Sequence, residues 1–359
     1  MAGGGPSVSY VLPLRWSEPG PIEELSGYLR SIAAAVDEIV VVDGSPAPFF
    51  AAHAEALRGV ASHLPPDPDL DFRMGKVNGV LTGMRKASGE LLVLADDDVR
   101  YDAPTLRRTV RMLAEADLVR PQNYFDELPW HARWDTARSL LNRVFTGDPG
   151  FPVGDFPGTL AVRRRALLAT GGYDGDALFE NLELMRTVRA GGGRVVTPLD
   201  LYVPRRPPTA RHFLSQRVRQ AYDDFAIPGR MAAWLLIGPL AIRAARRRGG
   251  ARRLVAGAAG SIAVAEIGRR RAGGAARFPA SGSLLAPAWL GERSLCAWLA
   301  LWARLWGGVP YGGGRLRRSA TSPRVLRARH AGALAAGDRA AAGAEPDRLV
   351  GAVAEGADL

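Results

Sequence analysis

A chain of 359 residues with 47% apolar and 23% charged residues can bury one large core or two ordinary ones, which excludes a disordered or fibrous protein. Its single cysteine, Cys296, excludes an internal disulfide framework and fits a reducing, cytoplasm-facing compartment; the opening MAGGGPSVSY lacks the basic start and apolar run of a cleaved secretory signal. The net charge of +11 would suit a nucleic-acid binder, but residues 243–330 hold 18 Arg, no Lys and two acids, a balance of +16 that leaves the rest of the chain at −5. A mildly acidic body with a strongly basic tail points to an anionic surface touched by the tail alone.

The first elements form a β-α-β unit. Residues 7–14 (SVSYVLPL) and 38–43 (EIVVVD) are β-branched apolar runs of strand length, separated by the helical pattern IEELSGYLRSIAAAV. A helix over 76–88 leads into the apolar run 91–95, which stops at Asp96, Asp97 and Asp98. A third unit has a helix near 103–116 and a short strand at 117–120. Strands alternating with helices predict a parallel sheet covered on both faces, with ligands bound beyond the carboxyl ends of its strands. Residues 126–157, rich in Trp, Pro and Gly, read as an acceptor-side insertion with one helix at 133–145. A strand over 159–162, helices over 164–170 and 181–190, and a strand over 194–197 follow. From about 243 the composition turns to Ala, Gly and Arg, and the last part of the chain reads as disordered.

Three aspartates at the end of a buried strand repel one another and resist desolvation, so a divalent cation is their natural partner. Mg²⁺ or Mn²⁺ takes one or two carboxylates and completes its shell with phosphate oxygens and water. Taken alone, the same triplet also describes a solvated acidic turn. Asp43 ends a strand at the same edge of the sheet and suits a ribose or base. Lys76, one of only two lysines, precedes the helix that leads into the Asp cluster and places a cation, with Asn78, near a diphosphate.

In order, SVSYVLPL, EIVVVDGS, GKVNGVLTGMRKASGELLVLADDDV, GTLAVRRRALLATGGYD, FENLEL and QRVRQ resemble the family 2 glycosyltransferases of the GT-A fold, over residues 7 to about 225. The resemblance implies an α/β architecture with a mostly parallel, Rossmann-like sheet flanked by helices. It implies inverting, metal-dependent transfer of a sugar from a nucleotide-diphosphate sugar to an acceptor hydroxyl, on a sugar or on a lipid or lipid-linked acceptor. Pro13, Asp43, Lys76, Asp96 and Gln216 fall in its donor-binding set, Asp96 and Asp98 in its D-x-D metal motif, and Pro157-Gly158-Thr159 on the acceptor side. Arg219 matches the arginine of Q-x-x-R-W. Two positions depart from the pattern: Asn181 stands where many members carry the aspartate base, and Gln220 replaces the Trp. An amide cannot accept a proton, so the base is expected at Glu180, with Glu183 one turn along as the alternative. A nucleotidyltransferase and a non-catalytic donor-binding scaffold are the competing readings; the former lacks its glycine-rich turn after the first strand.

The division expected is a catalytic domain over 1–225, a basic and apolar helical region over 226–318, and a disordered tail over 319–359. The runs 231–242 and 254–265 are 12 residues each, short of a ~30 Å hydrocarbon core at about 1.5 Å per residue. Bordered by arginine clusters and followed by Trp298, Trp302 and Trp306, they predict helices lying on an anionic membrane surface, with the catalytic domain facing the cytoplasm. Nucleic-acid binding is not expected, because the Arg clusters carry no interleaved stacking aromatics.

Overall fold

The computed structural model describes residues 5–146 and 157–344. Eleven strands are formed among them: β1 Val8–Leu14, β2 Glu38–Asp43, β3 Ser62–Leu64, β4 Leu91–Ala95, β5 Leu118–Val119, β6 Gln122–Phe125, β7 Thr159–Arg163, β8 Val195–Val196, β9 Tyr202–Arg205, β10 Val309–Tyr311 and β11 Gly314–Leu316. Seven make the central sheet in the order β3-β2-β1-β4-β7-β5-β8. All neighbours run parallel except β7, which is antiparallel to both β4 and β5. β6 and β9 form a small parallel pair beside it, and β10–β11 a hairpin.

Period-two alternation assigns the two faces of the sheet. Val11, Val40, Val42, Leu92 and Leu94 point into one core with the helix Gly75–Lys86 and the helix Glu180–Ala190. Tyr10, Leu12, Ile39, Val41, Leu91 and Val93 point into the other, against Ile22–Ile32 and Ala103–Arg111. Strands buried on both faces read as the continuous apolar runs seen in β1, β2 and β4. The helix Gly75–Lys86 lies close on β1 because it turns a glycine edge toward it. A Cβ on Gly79 would stand 2.8 Å from Pro13 Cβ, and one on Gly83 would stand 2.3 Å from Val11 Cγ1. That approach sets the depth at which Lys76, in the helix's first turn, enters the site.

The C-terminal helices Pro228–Ala245, Gly250–Arg270 and Ala286–Leu305 pack on one another and on Trp130–Phe145, which starts three residues earlier than the predicted helix. Leu140, Leu141, Ala265, Phe278 and Trp289 form their shared core. A buried ion network ties this layer to the body: Asp135 meets Arg138 at 2.7 Å and Arg217 at 2.9 Å, and Arg217 reaches Glu292 on the helix Ala286–Leu305 at 2.5 Å. Burial opposes ionisation of Asp135, but Arg138 and Arg217 hold its carboxyl well below the usual range. Cys296 lies in the main core, where burial pushes its thiol up to about 12, in keeping with an inert side chain.

One expectation is corrected. Residues 319–344 are not a disordered tail: they include the helices Pro323–His330 and Ala333–Ala344, while 345–359 lie outside the described residues. Leu326 and Leu334 are buried, so scattered apolar residues in an Ala-rich stretch suffice to dock it. Part of the acceptor-side insertion, residues 147–156, also lies outside the described residues. No helix among the described residues is long and apolar enough to cross a membrane.

Candidate active site

The carboxyl ends of β1, β2 and β4 share one edge of the sheet, and Asp96 is the first residue beyond β4. Its N–H donates to the Gly158 carbonyl at 2.8 Å, which closes the antiparallel junction with β7 and brings Gly158 and Thr159 alongside. Gly158 fits closely there: a Cβ would come within 3.1 Å of Val99 and 3.4 Å of Asp96 Oδ2. A small pocket results, lined by Pro13, Lys76, Asp96, Thr159, Tyr173 and Asn181 among others.

Lys76 is the hub. Its Nζ lies 2.6 Å from Asp96 Oδ1 and 2.7 Å from Glu180 Oε1, joining the helix Gly75–Lys86, the end of β4 and the first turn of Glu180–Ala190. Burial would release the proton of Lys76, but the two carboxylates outweigh it and raise its pKa. Burial also lifts Asp96, to about 6, with Asp98 and Glu180 adding and Lys76 and Arg205 opposing. Asp97 turns aside to accept the indole N–H of Trp16. Asp98 Oδ2 accepts from the guanidinium of Arg205, at 3.0 Å from Nε. Its Oδ1 is buried and has no hydrogen-bond partner.

That orphaned oxygen, beside a carboxyl whose ionisation is already resisted, fits a divalent cation. Among the described residues no three His, Cys, Asp or Glu side chains are grouped to hold a metal on their own. An ion held by Asp96 and Asp98 would take most of its ligands from phosphate and water.

The remaining expected residues divide. Gln216 and Arg219 lie on Ala210–Tyr222; Gln216 Oε1 is buried without a partner, and the Arg219 guanidinium sits 5.2 Å from the ring centre of Tyr311. Burial raises the Tyr311 pKa; Glu180 adds to it, and Arg219, Lys76 and Arg15 oppose. Asn181 donates to the Pro157 carbonyl at 2.8 Å. Glu183 does not join them: it is fully buried and accepts the Thr321 N–H at 2.6 Å, beneath the segment expected to be disordered. Asp43 is also withdrawn, its carboxylate completely buried between His53 Nδ1 at 2.7 Å and His63 Nε2 at 3.0 Å, with Ser45 N–H on the other oxygen. Asn78 is spent on the loop before its helix, exchanging hydrogen bonds with the backbone of Phe72. Gln220 accepts from Arg217.

Sequence reasoning missed Arg205, Tyr311, Trp16 and Tyr173. Tyr173 belongs to the GGYD turn, a motif that could have marked it. Arg205 lies 107 residues from Asp98 at the end of a four-residue strand, and nothing local marks it.

A mostly parallel sheet covered by helices on both faces, with lysine and carboxylates gathered beyond its central strand, defines a GT-A-like α/β architecture. Residues 22–172 match the model of glycosyl transferase family 2, so the chain carries a family 2 glycosyltransferase domain. The matched stretch contains Asp43, Lys76 and the three aspartates and ends before Glu180. Among solved structures, the chain is similar to a mannosyltransferase from Pyrobaculum calidifontis in complex with GDP-Man and Mn²⁺, 22% identical over 83% of this chain and 87% of that one, TM-score 0.49. It is also similar to glucosyl-3-phosphoglycerate synthase from Mycobacterium tuberculosis in complex with Mn²⁺, uridine-diphosphate and phosphoglyceric acid, 22% identical over 60% and 77%, TM-score 0.42. No curated protein matches the chain.

Proposed function

We propose that this protein transfers a sugar from a nucleotide-diphosphate sugar to an acceptor hydroxyl, with inversion at the anomeric carbon. The observation that carries the reading is the convergence of Lys76, Asp96, Asp98 and Glu180 at the end of β4, the first three inside the family 2 segment. Asp96 and Asp98 would hold Mg²⁺ or Mn²⁺, which when bound offsets negative charge on the departing diphosphate. Lys76 supplies a second positive charge at the same place, and Arg219 is poised to add a third from the Tyr311 side.

Transfer breaks the bond between the anomeric carbon and the diphosphate oxygen and forms one to the acceptor oxygen, whose proton goes to a carboxylate. Asn181 cannot take it, and Glu183 is sealed under Thr321. Glu180 is the carboxylate left in reach. Lys76 bridges it to Asp96, and a diphosphate competing for that ammonium frees an oxygen of Glu180 to receive the proton. Asp43 acts through the sheet edge, with His53 and His63 fixing the loop after β2.

The test is a thermal-shift screen of the purified full chain against a panel of nucleotide-diphosphate sugars with Mn²⁺. At least one donor should raise the melting temperature, and Lys76→Ala should abolish the shift. Stabilisation by nucleoside triphosphates and by none of the sugars would instead favour a nucleotidyltransferase.

A further inference from the structure

We propose that the outer face of the C-terminal helices docks onto an anionic lipid surface, lying on it rather than crossing it. The helix Ala286–Leu305 is apolar on both sides. Its inner side, with Trp289, Cys296, Ala297 and Ala300, is buried. Its outer side carries Leu295, Trp298, Leu299, Trp302 and Leu305, all exposed, with Leu305 at 72% and Trp302 at 59%. A helix apolar all round belongs in a covered environment, and here one side is left uncovered.

The stripe does not end with its helix. The Trp298 indole donates to the Leu235 carbonyl at 3.2 Å and Gly238 N–H donates to Ser294 Oγ at 3.0 Å, so Pro228–Ala245 runs antiparallel beside it. That neighbour adds Leu236, Leu240 and Ile242, all exposed. The surface then passes directly into Arg243, Arg246, Arg247 and Arg248, and across the turn into Arg252 and Arg253, every one exposed. Among the described residues none of these six has a carboxylate within ion-pair distance.

Charge decides the occupant. A second copy meeting this face would bring unpaired arginines toward unpaired arginines, and an acid-free cluster offers it nothing in return. Phosphates of an anionic leaflet supply the missing charge, at a favourable contribution for each arginine held near the surface. Trp302 and Trp306, stacked with ring centres 4.0 Å apart at the end of the stripe, are the side chains that settle at headgroup depth. Pro228–Ala245 carries Pro239 in its interior, its 18 residues reach only about 27 Å, and no described helix qualifies as a span.

The stripe also points at the cleft. Trp306 is followed within five residues by Tyr311, whose ring faces Arg219, so a short stretch of chain joins the tryptophan end to the Arg219 side of the site. A protein seated this way holds its cleft against the lipid, where an acceptor anchored in the leaflet is within reach.

The experiment is co-sedimentation of the full chain with vesicles of phosphatidylcholine alone or mixed equally with phosphatidylglycerol, alongside quenching of its tryptophans by brominated lipid. Binding is expected on the mixed vesicles, weakened by salt, with quenching. Replacing Arg246, Arg247 and Arg248 by Glu should weaken it about a hundredfold, and Trp302→Ala with Trp306→Ala roughly tenfold. The quenching arm uses the unaltered protein and stands even if a variant misfolds. No binding to the mixed vesicles by folded protein, equal binding to neutral vesicles, or a concentration-dependent dimer that Trp302→Glu dissociates in the absence of vesicle binding would overturn the proposal. Vesicle binding needs no donor, so its failure leaves the sugar-transfer reading to its own test.

Discussion

The α/β body and the C-terminal helical layer hold almost opposite attitudes to their charges. In the body, the charged side chains at the end of β4 come from distant elements and neutralise one another: Lys76 with Asp96 and Glu180, Arg205 with Asp98. In the helical layer, the arginines from 243 to 253 stand in solvent without partners, while the residues that meet the body add to an apolar core fixed bridges such as Arg217–Glu292, Arg230–Asp224 and Arg271 to the carbonyls of Arg143 and Val144. Charges paired across elements cost desolvation and demand fixed geometry, which suits a site that must aim groups at a substrate. Unpaired exposed charges demand nothing of the fold and remain available to something outside it.

The two regions are nevertheless one structure, and the largest effect expected comes from separating them. A chain ended at residue 225 loses Glu292 from the buried network, a break worth about 3–5 kcal/mol, and strips the cover from Leu140 and Leu141. It also loses residues 317–321, which accept the N–H groups of Leu178 and Phe179 immediately before Glu180. Against a total stability of roughly 5–15 kcal/mol, that chain should show no cooperative thermal transition by circular dichroism. A sharp transition in the shortened chain would mean that the helical layer is an attachment and not part of the fold.

Within the body, Glu180→Gln should lower turnover by about 10²–10⁴ while donor affinity changes little, because a general base contributes that much and binds no donor. Steady-state kinetics with an unchanged thermal shift by donor would check it; full activity in the variant would remove Glu180 from the mechanism. Glu183→Gln is the control: its carboxylate faces Thr321, so the variant should lose stability and keep its rate per folded molecule.

Gly83→Ala probes the seat of Lys76. The new methyl would collide with Val11 at 2.3 Å, and overpacking of this kind costs about 1–3 kcal/mol. Chemical denaturation should show the loss, together with weaker donor binding as the helix is pushed off β1.

The smallest effect concerns pH. Burial would raise Asp43, but hydrogen bonds from His63, Ser45 and His53 lower it to about 2. A carboxyl depressed on folding contributes stability above its unfolded pKa of about 3.9 and loses it as pH falls through 2. The stability advantage of wild type over Asp43→Asn should therefore be flat above about pH 5 and shrink below pH 4.

How far the sequence could be read follows from these same interactions. β1, β2 and β4 were legible because strands buried on both faces leave unbroken apolar runs. The Asp cluster stood out because three adjacent acids break such a run abruptly, at the strand end where ligands bind. Both signals depend on neighbours in sequence. The helix Ala47–Ala56 was missed because its apolar residues fall all round its axis, leaving no period to detect. The reversal of β7 was not visible, since a five-residue strand carries no mark of its direction. Arg205, Tyr311 and the burial of Glu183 all depend on chain that returns from more than 100 residues away or through a tail whose composition resembled disorder.

The central claim is that the charges gathered around Lys76 act on a nucleotide-diphosphate sugar. The most direct measurement is release of nucleoside diphosphate by the purified full chain, from the donor that stabilises it, with Mn²⁺ and then with excess chelator, for wild type and Asp98→Ala. Wild type should show turnover that chelator abolishes, and a folded Asp98→Ala at least about a hundredfold less. Turnover that persists in chelator and survives Asp98→Ala would contradict that claim.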